Sequence, residues 1–256
     1  MLKILVTNDD GIYAPGLTVA ENIARGLGAE VLVLAPEQDC SGFSQGITMH
    51  QPLRLRQCGP HRYALSGTPA DCVLFASAHF YQGGAPDLVI SGVNSGANVG
   101  DAVQYSATIG AALTAAHLGW KAVALSQAFH GDRQIIDWSA SETLGSDIIR
   151  QCLAVAGVNT WNINFPAVPA SQVQGYRYCR QAARNIASVD ARLAPDGRGI
   201  EAYWLAFNHS VGDGNEEATD IATLKQHKVA IMPLLTHRAD QATLAQLVGA
   251  EEVAAE

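Results

Sequence analysis

Met1-Leu2-Lys3-Ile4-Leu5-Val6-Thr7-Asn8-Asp9-Asp10-Gly11 sets a continuous apolar run directly against two adjacent carboxylates and a glycine. A strand without polar alternation is buried on both faces, which is the habit of a parallel sheet covered by helices. The next segments keep to that plan. Pro15–Leu27 has helical periodicity, and Glu30–Leu34 is a second strand stopped by Pro36. A hairpin is expected from Leu53–Arg56 with Arg62–Leu65, and a helix with proline in its first turn over Pro69–Tyr81. Asp87–Ser91 and Lys121–Ser126 read as strands on either side of a helix over Gln104–Leu118. Strand and helix in alternation predict an α/β fold, a Rossmann-like doubly wound, mostly parallel sheet.

Further on, Asp137–Ala156 reads as an amphipathic helix and Thr160–Phe165 as a strand, stopped by Pro166 and Pro169. Residues 175–215 mix arginine, glycine and aromatics without a period, Val229–Pro233 has strand character, and Arg238–Val248 is expected to close the chain as a helix. The division expected is a core over 1–166 and an extension over 167–256, packed on the core or exchanged with a neighbouring subunit.

Composition narrows the function. Of 256 residues, 48% are hydrophobic and only 16% charged, which disfavours disorder and points to much buried surface. Sixteen lysines and arginines against 24 acids give a net charge of −8 without a basic cluster, so sequence-independent nucleic-acid binding and attachment to anionic membranes are both disfavoured. The opening apolar run is too short for a signal peptide, and the apolar window from Gly110 to Ala128 is interrupted by His117 and Lys121. Cys40, Cys58, Cys72, Cys152 and Cys179 are odd in number and lack CxxC spacing, as in a cytoplasmic protein with reduced thiols.

Chemistry gathers where strands end. In an open parallel sheet, ligands bind outside the carboxyl ends of the strands. Asp9 and Asp10 would point to opposite faces of a strand, but Gly11 releases the backbone so that both can face one crevice. A turn or helix-cap aspartate accounts for one carboxylate and leaves the second unexplained. The second strand runs into Glu37-Gln38-Asp39-Cys40-Ser41-Gly42-Phe43-Ser44-Gln45, and the Asp87–Ser91 strand into Gly92-Val93-Asn94-Ser95-Gly96-Ala97-Asn98-Val99-Gly100. Carboxylate, hydroxyl and amide oxygens suit a hard divalent cation such as Mg²⁺ or Mn²⁺. Gly92, Gly96 and Gly100 do not match the GxGxxG dinucleotide fingerprint. Lysine and arginine are absent from 8–16, 37–48, 66–71 and 91–108, so a bound phosphate would be met by metal, N–H, amide and hydroxyl groups. Tyr105-Ser106-Ala107-Thr108 opens a helix, where hydroxyls cap the helix, bind an anion, or do both.

These stretches resemble the SurE family, the survival-protein 5′/3′-nucleotidases. The resemblance rests on Ile4-Leu5-Val6-Thr7-Asn8-Asp9-Asp10-Gly11-Ile12 with Ala14-Pro15-Gly16, Ala35-Pro36 with Ser41-Gly42, and Gly67-Thr68-Pro69-Ala70-Asp71-Cys72-Val73. Ser91-Gly92-Val93-Asn94 with Gly96, Asn98 and Gly100, then Tyr105-Ser106 and Thr108, carry it further; Asn162-Ile163-Asn164 with Pro166, and Thr219-Asp220, extend it. The resemblance implies a divalent-metal phosphomonoesterase acting on nucleoside monophosphates, assembled as a homodimer or homotetramer with exchanged C-terminal elements. It places metal ligands on Asp9, Asp10, Ser41 and Asn94, and phosphate-site residues on Asn98, Ser106 and Thr108.

The chain departs from the family pattern at four places. Glu37-Gln38-Asp39-Cys40 stands where the family often has Asp-Arg-Asn-Arg, Gln45 replaces Asn or His, Ala107 replaces a glycine, and Lys228–Leu234 reduces a longer terminal motif. Three other functions stay open on sequence alone: phosphoaspartyl transfer, which wants two Asp separated by one residue and a downstream lysine; a nucleotide-binding regulatory module without turnover; and polyphosphate cleavage at the same site.

Overall fold

The computed structural model describes residues 1–131, 135–183, 186–209, 218–236, 243, 244 and 247. Its centre is β1 (Leu2–Thr7), whose residues from Ile4 onward are fully enclosed. β1 pairs in parallel with β2 (Ala29–Pro36) on one side. On the other side it pairs with a later strand, β5 (Leu88–Ser95). Between those two the chain forms a hairpin, β3 (Leu55–Gly59) and β4 (Arg62–Leu65), with β4 parallel to β2. Strand order therefore reverses at β1, and the crevice between β1 and β5 is where such a sheet binds ligands.

β6 (Ala122–Gln127) and β7 (Thr160–Phe165) extend the parallel side. β11 (Val229–Pro233) then joins β7 antiparallel and β8 (Tyr176–Tyr178) in parallel, closing a nine-stranded sheet. β9 (Ile186–Leu193) and β10 (Tyr203–His209) form a separate antiparallel pair.

Helices cover both faces. α1 (Pro15–Gly26) starts with proline in its first turn and has no side-chain cap; burial of Leu17, Ala20, Ile23 and Ala24 along one stripe holds it down. α4 (Ser139–Leu153) packs beside it, and both share a core with Ile4, Val6, Ile90 and Ile163. On the opposite face lie α2 (Pro69–Ala76) and α3 (Ala107–His117), against Leu5, Val89 and Ala124. The short α5 (Asp220–Lys225) precedes β11. Among the described residues no helix is long and apolar enough to cross a membrane.

Several boundaries differ from the sequence reading, for local reasons. The helix expected over Pro69–Tyr81 is α at Pro69–Ala76 and widens into a π-type turn at Ser77–Tyr81. The helix expected from Gln104 begins at Ala107, because the Ser106 hydroxyl accepts from the Ile109 N–H and a separate 3-10 turn occupies Gly100–Gln104. The strand expected to end at Ser91 continues to Ser95, with a shift in register between Ser91 and Asn94. β9 and β10 lie in a stretch without sequence period, since almost all of β9 is solvent-exposed and no alternation is imposed on it. The closing helix expected over Arg238–Val248 falls mostly outside the described residues.

Candidate active site

The end of β1 is folded into place by its neighbours. Gly11 adopts φ +100°, a left-handed conformation open to glycine, and the Ile12 N–H then donates to the Pro36 carbonyl at the end of β2. Asn8 Nδ2 donates to the Gly11 carbonyl at 3.0 Å. Arg62 Nη2 reaches the Ile12 carbonyl at 2.6 Å, and Arg56 Nη1 lies 3.1 Å from the Tyr13 hydroxyl. The loops are free of cations along the sequence but not in space, because the β3–β4 hairpin brings two arginines to their edge.

Asp9 is almost fully buried. Burial first, and the neighbouring Asp10 charge second, push its carboxyl up to about 6, against a lowering bond from Thr108. That bond runs from Thr108 Oγ1 to Asp9 Oδ1 at 2.8 Å. Asp10 Oδ2 accepts from the Ser95 N–H at 2.9 Å, which ties β1 to the residue after Asn94. The Asn94 amide donates to the Gly96 carbonyl at 2.8 Å, so the carbonyl end of its side chain remains for a ligand. The Cys40 N–H donates to the Asp9 carbonyl at 2.8 Å, and Ser41, exposed, follows it in a turn closed by Asp39.

The loop carrying Ser41 is seated on α3. Ser44 donates to the carbonyls of Tyr105 and Gln104, and a Cβ at Gly110 would lie 2.0 Å from the Ser44 carbonyl oxygen. Gln45, where the family prefers Asn or His, donates to Thr114 Oγ1 at 3.2 Å and lies 3.1 Å from His117 Nδ1. At the loop's far end Asp71 accepts from the Thr48 N–H and hydroxyl while completing a capping box with Thr68. Glu37 forms an exposed ion pair with Arg56, an interaction that solvent screens.

Asn98, Ser106 and Thr108 meet at the N-terminus of α3. Thr108 is fully enclosed, with its one proton directed to Asp9, so it orients that carboxylate rather than facing the crevice. Ser106 caps α3 by accepting from Ile109, which leaves its hydroxyl proton available. Asn98 Nδ2 donates to Ser126 Oγ at 2.8 Å and approaches Thr108 Oγ1 at 3.5 Å. Beneath it, Asn162 and Asn164 bond to its backbone, and Asp220 Oδ2 accepts from the Gly100 N–H at 2.9 Å. Asn162, Asn164 and Asp220 belong to the motifs that carry the family resemblance, which assigns them no role. The signal for the first two is local: amides alternating with Trp161, Ile163 and Phe165 in a strand buried on both faces.

The donor set suits a hard cation. Two acidic side chains lie side by side, one of them deeply buried, and the buried Asn8 Oδ1 has no hydrogen-bond partner in the protein. Among the described residues no group of three or more His, Cys, Asp or Glu side chains is placed to hold a metal, which leaves oxygen donors of mixed type.

Comparison with known proteins identifies the family and its fold. A family model described as survival protein SurE matches residues 4–188. A 5′-nucleotidase SurE of Bradyrhizobium sp. (strain ORS 278) is 44% identical over 246 residues, covering 94% of this chain and 96% of its own. Another 5′-nucleotidase SurE, of Rhodopseudomonas palustris (strain BisB5), is 44% identical over 256 residues, covering 97% and 100%. The crystal structure of the SurE protein from Aquifex aeolicus superposes with a TM-score of 0.81 at 28% identity, over 97% of this chain and 99% of that one. The family model and the extent of these similarities establish that the chain belongs to the SurE family.

Proposed function

We propose that this chain is a 5′-nucleotidase, a hydrolase that converts nucleoside monophosphates to nucleoside and phosphate with a divalent metal, Mg²⁺ or Mn²⁺. One observation carries the reading: the Asp9–Asp10 pair at the end of β1 stands beside the Ser106-capped N-terminus of α3, joined to it through Thr108. Anions are favoured at a helix N-terminus, and cations at paired carboxylates. A phosphate monoester needs both.

Asp9, Asp10, Ser41 and Asn94 would hold the metal, which when bound supplies charge neutralisation and Lewis-acid polarisation of the phosphoryl group. The protein's own part is to bind and orient. Thr108 keeps Asp9 in one rotamer. The Ser106 hydroxyl and the first N–H groups of α3 take phosphate oxygens. A hydroxyl both accepts and donates, so the Asn98 carboxamide can turn over on Ser126 and present its N–H groups to the phosphate. Those donors stabilise charge that grows on the equatorial oxygens.

The relatives' names support a nucleotide substrate. The reading makes 1–166 the catalytic core and 167–256 an extension that assembles a homodimer or homotetramer in the cytoplasm. Exposed Trp204 and Leu205 on β10 support assembly, and five free cysteines support a reducing compartment. Release of inorganic phosphate from AMP, GMP, CMP and UMP, with Mn²⁺ or Mg²⁺ and after EDTA, tests the proposal. Metal-dependent release is expected; no release with any nucleotide, or full activity after rigorous chelation, would overturn it.

A further inference from the structure

Asn98 sits on a loop between Gly96 and Gly100, a poor foundation for a group that must be placed accurately. The sheet supplies what the loop lacks. Asn164 Oδ1 accepts from the Asn98 N–H at 2.7 Å, while Asn164 Nδ2 and Asn162 Nδ2 donate to the Asn98 carbonyl at 3.2 and 2.8 Å. Asn164 Nδ2 also lies 3.0 Å from Asn162 Oδ1, so the two amides brace each other. From β6, Ser126 Oγ lies 2.8 Å from Asn98 Nδ2, and its hydroxyl can hold that carboxamide in either orientation, accepting from the N–H as here or donating to the carbonyl once the group has turned. Asn162, Asn164 and Ser126 are all essentially inaccessible to solvent.

The register explains how they converge. Ser126 and Asn164 are directly paired between β6 and β7. Trp161, Ile163 and Phe165 fill the core shared with α1 and α4, so the intervening amides face the side of α2 and α3. At these positions a strand buried on both faces ordinarily carries Val, Ile or Leu. Burying polar groups is unfavourable unless each finds a partner, and here the partners are Asn98 and, between the two amides, one another. A carboxamide has both a donor and an acceptor, which lets Asn164 bond the N–H and the C=O of Asn98 together.

We infer that Asn164, Asn162 and Ser126 are positioning residues for the reaction, a clamp that fixes Asn98 against the phosphate. The inference rests on the nucleotidase reading above and adds residues to it. They touch neither metal nor substrate and act through Asn98.

The test is a set of double variants assayed on AMP with Mn²⁺. Asn164→Ala and Ser126→Ala are each made alone and combined with Asn98→Ala, with kcat, KM, Mn²⁺ affinity by calorimetry and Tm measured for each. Alone, each is expected to lower kcat about 10- to 100-fold, the usual effect of removing a supporting hydrogen bond, with KM and Mn²⁺ affinity close to wild type. Combined with Asn98→Ala, neither should lower kcat further, because the group they place is already gone. Additive losses, or a lower Tm with wild-type kcat, would overturn the clamp. If Asn164→Ala does not fold, Ser126→Ala, which removes one hydroxyl, decides alone. Wild-type protein that releases no phosphate would instead fail the nucleotidase reading and take this inference with it.

Discussion

Thr108, in the second position of α3, gives its hydroxyl proton to Asp9 Oδ1 at 2.8 Å, joining a buried carboxylate at the end of β1 to the helix that would bind phosphate. This bond favours the charged form of Asp9, while burial and Asp10 oppose it. Thr108→Val keeps the shape and deletes the donor. The Asp9 carboxyl should then rise further above about 6, and Mn²⁺ must displace a proton to bind. Calorimetry should find weaker Mn²⁺ binding, with a larger deficit at pH 6 than at pH 8. An equal deficit at both would show that the bond only shapes the site.

The same carboxyl sets a pH dependence on the metal-free fold. Its folded value, about 6, lies above the ordinary 3.8, so the folded state holds the proton more tightly than the unfolded chain. That stabilisation is complete below about pH 4 and is lost as pH rises through about 6. The difference corresponds to about 3 kcal/mol between the extremes. Asp9→Asn should therefore raise Tm in EDTA at pH 8 relative to wild type, with no such gain at pH 4, while abolishing Mn²⁺ binding. Melts of both proteins across pH check the sign.

What the sequence disclosed and what it withheld divide by distance along the chain. The apolar run to Thr7, the adjacent carboxylates and Gly11 lie within a few residues, and their geometry follows from local rules. Ser106 as a helix cap is legible for the same reason. The clamp on Asn98 comes from residues 64 and 66 positions later, and Arg62 reaches Ile12 from 50 positions away. The amides in buried β7 stand out locally, but no local pattern names Asn98 as their partner, and the loops' own sequence does not contain the two arginines of the hairpin. The β9–β10 pair was illegible for another reason. Its residues are largely exposed, so burial imposed no alternation on them.

The exposed β10 side chains make assembly testable. Trp204 is 72% and Leu205 71% exposed, and the Phe207 ring lies tilted against that of Tyr105, the neighbour of Ser106, with centroids 5.8 Å apart. Leu205→Asp would place a charge in any interface formed there, while leaving the single-chain core untouched. Light scattering should show a smaller species than wild type. An unchanged mass would remove this hairpin from the interface.

Gly110 tests whether the seat of the Ser41 loop matters for the metal. A methyl group there would meet the Ser44 carbonyl oxygen at 2.0 Å, and the contact is with backbone, so the loop must retreat. Gly110→Ala is favourable for helix propensity by about 1 kcal/mol, which opposes any loss from the loop. Tm is expected to fall, since a forced backbone shift costs about 1–3 kcal/mol against that gain, and Mn²⁺ affinity falls as Ser41 withdraws. Wild-type affinity would show that Ser41 is not a ligand or that the loop adapts.

Ser106 carries two roles in one hydroxyl, and substitutions can separate them. Its oxygen accepts from the Ile109 N–H at 3.1 Å, and its proton remains for a phosphate oxygen. Ser106→Ala removes both and should lower stability by about 1 kcal/mol. Ser106→Gly also removes the hydroxyl, but glycine at an N-cap typically costs only a few tenths of a kcal/mol. If the hydroxyl serves only as a cap, kcat should follow stability and the glycine variant should be nearly as active as wild type. If it also donates to charge that grows in the transition state, both variants should lose about 10²–10³ in kcat, with smaller changes in KM. Mn²⁺ affinity should stay near wild type in both, since Ser106 is placed on the anion rather than on the metal. A glycine variant with wild-type Tm and wild-type kcat would remove Ser106 from the phosphate site.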